Sequence, residues 1–357
     1  GGGNDGRPYS FGRPSSGGSK AAYPCKSYGQ GRINPAYFYG VFDPNDMRRD
    51  VSITMTGSNG KGVEKLIPFV PNSKAEGGGL TLNKWDENRQ ANPWVAAQRK
   101  SGINGPYMRM SEVYLGYAEV CAALGDVVTG KQYLKTVRER SFPQGLANTD
   151  AFIASFGNDL VRAIIEERGF EYAGEGDRRW TLIRSGYLPE DIKRIKDMTK
   201  AMMDGLATKG YYEFENGNII SAYIWTKLVD AKTIYGHRLT AQCPTDKVND
   251  PVLYPGWRGQ KDNWEEMGLN YGSSTPATNL AIKGLFEIVS EEEAASLESQ
   301  GYAKVNWGID LVDYRDEYDK YLFWDYDYVS APIYLWPFTP NVMAAGGFTN
   351  GYGFKQE

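Results

Sequence analysis

Histidine is almost missing from this chain: 357 residues contain only His237. That removes His-centred nucleophilic triads and His-rich metal sites from the available chemistries. Cysteine is nearly as scarce. Cys25, Cys121 and Cys243 are scattered, show no CxxC or metal spacing, and allow at most one disulfide. No apolar run is long enough to span a bilayer. No basic block appears, and 40 Lys and Arg stand against 44 Asp and Glu for a net charge of −4, which argues against a nucleic-acid partner. GxSxG and HExxH are absent, and no GxGxxG follows a strand, so no cofactor is implied. The N-terminal "GGGNDGRPYS" has no charged, apolar and small-residue signal layout, and we expect it to be the interior of a longer protein.

What the chain has in quantity is aromatic side chains: 25 Tyr, 14 Phe and 9 Trp. Such rings offer a flat apolar face with a polar handle, suited to cores, interfaces and ligand platforms alike. Residues 1–40 are loop-rich and punctuated by tyrosines. "VSITMTGSNGKGVEKLIPFV" (51–70) alternates and turns at Asn59–Gly60, which predicts a hairpin; its glycines and Lys61 fail the phosphate-loop spacing.

Helices follow. In 107–126 the residues Met110, Val113, Tyr114, Tyr117, Ala118, Cys121 and Leu124 recur at three and four, and Gly125 stops the pattern. A second helix covers about 130–140. The pair, within 107–142, follows tetratricopeptide spacing, with Ala118 and Gly130 where two helices must approach closely. Asn158 is placed to cap a helix over 159–173 with a stripe of Leu160, Val161, Ile164, Ile165 and Tyr172. Pro189 starts another, lined by Ile192, Ile195, Met202 and Leu206. "YYEFENGNIISAYIW" (211–225) reads as strand, Asn216–Gly217 turn, strand. Residues 226–285 read as irregular, and Ser290 with Glu293 as a capping box for a short acidic helix ending near Gly301. The fold class expected is mainly α: tetratricopeptide-like helix pairs with long irregular loops and a few short β-hairpins.

"ERGFEYAGEGDRRWTLIRSG" (167–186) is the densest charged stretch and raises the question of catalysis. A glycosidase needs two carboxylates, one with a raised pKa. Here Arg168, Arg178, Arg179 and Arg184 crowd Glu167, Glu171 and Glu175, and nearby positive charge lowers a carboxyl pKa. We therefore read 159–186 as a helix followed by a structural strut of ion pairs through Glu175, Arg178, Arg179 and Arg184, with Trp180 and Leu182 as its apolar anchor. No catalytic residue is assigned.

Sugars bind through apolar faces stacked on rings and hydroxyls bonded to Asn, Asp, Arg and Lys. Three stretches carry that combination. The first spans 9–39, with Tyr9, Tyr23, Tyr28 and Tyr37 beside Arg7, Arg32 and Asn34. The second is "KWDENRQANPW", where Trp85 and Trp94 flank Asn88, Arg89 and Asn92. The third is "YPGWRGQKDNWEEMGLNYG", with Tyr254, Trp257, Trp264 and Tyr271 beside Arg258, Asp262 and Asn263. Pinning of loops to the core is the plain alternative for each ring. The third is favoured, because its Pro/Gly-rich frame should project rings outward. Asp325 and Asp327 could hold a Ca²⁺, but EF-hand spacing is absent and no metal site is assigned.

Several segments together resemble the C-terminal region of the SusD/RagB family. They are "FDPNDMRRD" (42–50), "GPYMRMSEVYLGYAEVCAALGD", "VRERSF" (137–142), "IIEERGFEYAGEGDRRWTLIRSG" and the closing "APIYLWPFTPNV…GFTNGYGF". The closing segment has Trp336–Pro337–Phe338 for the usual PIP, and Thr181 stands where an Asp is usual. The resemblance covers roughly residues 40–190 and 329–354, and 190–328 is a variable loop-rich region outside it. It implies that 1–357 is the C-terminal part, as one domain, of a surface lipoprotein of the outer membrane in Bacteroidetes-type bacteria, lipid-anchored through an N-terminal part absent from this chain. Such a protein captures oligosaccharide or polysaccharide, or in some members oligopeptide, for polysaccharide utilization and nutrient uptake. It hands the ligand to a TonB-dependent, SusC-like transporter. A glycoside hydrolase and a ligand-free transporter scaffold are the rival readings.

Overall fold

The computed structural model describes residues 31–58, 64–67, 69, 79–85, 105–143, 145–230, 278–315, 339–347 and 349. Within them the fold is mainly helical, with short antiparallel strand pairs. Helix α1 (Pro35–Gly40) begins where the Asn34 side chain accepts from the Ala36 amide, with Pro35 in the first turn. Helix α2 (Met47–Ser52) starts at Asp46, whose carboxylate accepts from the Arg48 amide. Strand β1 (Ile53–Thr54) pairs with β4 (Thr81–Leu82), and β2 (Thr56–Ser58) pairs with β3 (Glu64–Leu66). The expected strand pairing exists from Thr56 onward, and the Asn59–Gly60 turn lies outside the described residues. The first arm is shorter than the alternation implies, because residues through Ser52 are helical and β1 turns to a different partner.

Helices α3 (Met110–Ala123) and α4 (Val127–Glu139) form the expected pair around Gly125, which sits at φ +90. A Cβ on Gly130 would lie 3.0 Å from the Ala118 carbonyl oxygen, so this glycine sets the closeness of the pair. The stripe on α3 needs correction. Ser111, Leu115, Ala118 and Cys121 are buried, whereas Met110, Val113, Tyr117 and Leu124 are exposed. The helix is apolar nearly all round, so periodicity alone did not select the face that meets α4.

After α5 (Thr149–Ala154), α6 (Leu160–Glu171) runs through the middle of the molecule with every residue but Val161 buried. It is capped by Asp159, whose carboxylate accepts from the Arg162 amide; Asn158, the expected cap, instead takes φ 65. Leu160, Ala163 and Ile164 pack with Leu115, Ala118, Leu134 and Val137 of the helix pair. Helix α7 (Asp177–Ser185) folds back on α6, and α8 (Leu188–Lys209) carries Met202, Met203 and Leu206 into the main core.

That core is aromatic. Phe38, Tyr39, Phe42 and Trp307 are fully buried, Tyr39 stacks with Phe214, and the Trp307 indole donates to the Tyr39 hydroxyl at 2.8 Å. Strands β5 (Tyr211–Glu213) and β6 (Ile219–Ser221) form the expected hairpin. The amides of Asn216 and Asn218 each donate to the Tyr39 carbonyl at 2.8 Å, tying this turn to α1.

Strand β7 (Tyr223–Asp230) lies between β8 (Thr278–Lys283) and β9 (Ala303–Asn306). Both ends of 226–285, expected to be irregular, are therefore strand; ladder pairing rescues sequences with no clear alternation. Helix α9 (Glu291–Ser299) has the expected reciprocal Ser290–Glu293 capping box. Short helices α10 (Gly308–Asp313) and α11 (Pro340–Gly346) complete the described elements.

Candidate functional site

The charged stretch resolves into a node on α6. Three of its glutamates, Glu166, Glu167 and Glu171, are buried, and arginines from separate parts of the chain converge on them. Glu167 accepts from Arg48 Nη1 at 2.6 Å and from Arg138 Nη1 at 2.9 Å. Glu171 accepts from Arg109 Nη1 at 2.6 Å and also pairs with Arg48 and Arg140. Glu166 takes both oxygens to Arg178 Nη2 at 3.0 Å and meets Arg162 and Arg194. Asp191 on α8 closes the ring with Arg178 at 2.9 Å and Arg194 at 2.6 Å.

The electrostatics are those of a clamp. Burial alone would raise the Glu171 carboxyl. The Arg48 charge, the Arg109 hydrogen bond and the Arg140 charge overcome it and hold the group at about 2. Asp191 is also held low: burial opposes ionisation, and Arg178 and Arg194 outweigh it. A general acid near neutral pH needs the opposite shift. Among the described residues Asp310 is the carboxyl pushed upward, by its burial first and by Asp313.

Of the expected strut residues, Glu175 pairs with Arg109 and Lys84, Arg178 with Glu166 and Asp191, and Arg184 with Glu119 of α3 at the surface. Arg179 is half-buried on α7. The expected anchor is half wrong. Leu182 is buried beside Ile165 and Leu188, but Trp180 is 54% exposed. On α7 the two are only two residues apart and so face different sides. Sequence reasoning also missed the partners. Arg48, Arg109, Arg138 and Arg140 were not assigned to the strut, though each lies in a segment carrying the family resemblance.

The ligand candidates fall largely elsewhere. Tyr23, Tyr28, Trp94, Tyr254, Trp257, Arg258, Asn263, Trp264 and Tyr271 lie outside the described residues, as do Asp325 and Asp327. Trp85 is half-buried, its indole donating to the Gly174 carbonyl at 3.4 Å next to the strut. Asn34 and Tyr37 of the first stretch are engaged in the fold: Asn34 caps α1, and the Tyr37 hydroxyl donates to the Gly169 carbonyl at 3.3 Å. Burial pushes the Tyr37 hydroxyl up to about 12.

No helix among the described residues is long and apolar enough to cross a membrane. The sequence profile of the SusD family matches residues 4–338. A SusD-like protein of Formosa agariphila is 28% identical over 160 residues, covering 44% of this chain and 26% of the relative, so the match spans about a quarter of that protein. No solved structure matches the chain. With a family profile running across nearly its whole length, the chain belongs to the SusD family.

Proposed function

We propose that this chain is part of a non-enzymatic protein that captures glycan at the cell surface and delivers it to a TonB-dependent outer-membrane transporter. Membership of the SusD family carries the reading, since it suggests a surface nutrient-binding role. Lipid anchoring in the outer membrane is part of the same proposal. The node supports the non-catalytic side of it: its buried acids are occupied by arginines, and Glu171 is held at about 2.

Recognition would use aromatic platforms, foremost Tyr254, Trp257, Arg258, Asn263, Trp264 and Tyr271, with Trp85, Trp94, Tyr23 and Tyr28 as secondary candidates. The chain enters 231–277 from Asp230 and returns at Thr278, and these two residues are paired across β7 and β8. A platform between them would thus start and finish on a rigid ladder.

Native affinity electrophoresis of the full-length protein through gels containing different polysaccharides tests the proposal. Retardation by one polysaccharide is expected. Replacing both Trp257 and Trp264 with Ala should weaken it about tenfold or more while the melting temperature stays nearly constant. Free migration through every gel would contradict glycan capture and turn the reading to oligopeptides.

A further inference from the structure

We draw no further inference here: the strongest candidate, the exposed apolar stripe of Met110, Val113, Tyr117 and Val120 along α3, is an unpartnered helix face, and nothing in the structure shows what covers it.

Discussion

Two buried regions hold this molecule together by opposite means. The node around α6 is ionic: Glu166, Glu167 and Glu171 are shared among arginines from five separate segments, at distances that fix orientation as well as proximity. The core around Trp307 is aromatic, and the Trp307–Tyr39 hydrogen bond is one polar contact inside a cluster of rings and methionines. An ionic node tolerates no missing partner, because each remaining charge stays buried. A ring core loses stability in proportion to the volume removed. The first should therefore be abrupt and pH-dependent, the second graded and indifferent to pH.

The sharpest break is Glu167→Ala. It leaves Arg48 and Arg138 without their shared acceptor and should cost about 3–5 kcal/mol in urea unfolding. Next comes acid. The Glu171 carboxyl is depressed from 4.5 to about 2 in the folded state, so its stabilisation is complete above about pH 4.5 and is lost as pH falls toward 2. That loss should be on the order of 3 kcal/mol across the window, and Glu171→Gln should flatten it. In the aromatic region Trp307→Phe removes volume and the partner of the Tyr39 hydroxyl, and should cost about 2 kcal/mol with no change in acid sensitivity. The smallest effect belongs to Arg184→Ala. Its pair with Glu119 is at the surface, so the change should stay under about 1 kcal/mol and shrink further in salt.

The two regions also differ in how far they could be read in the sequence. The node was half legible. The run of acids and arginines between 166 and 184 is local, and spacing on a helix shows that such charges must be neutralised. Its other half sits at Arg48, Arg109, Arg138 and Arg140, and only the family resemblance of those segments hinted that they share a destination. The aromatic core was scarcely legible, since Tyr39, Phe214 and Trp307 meet across most of the chain. Helix positions came out well where a cap or glycine punctuates them, as at Gly125 and Ser290. The buried face of α3 did not, because an apolar residue stands on nearly every side of that helix. Trp180 misled for a related reason: a large ring beside a buried leucine reads as an anchor until helix geometry turns it outward.

The account's central claim is that the node is a clamp and that ligand capture happens elsewhere. Glu171→Gln separates these, measured on one preparation for both its urea midpoint and its retention by the polysaccharide that retards the wild type. The account predicts a lowered midpoint at neutral pH with retention unchanged. Loss of retention at an unchanged midpoint would contradict it and make the node a ligand site.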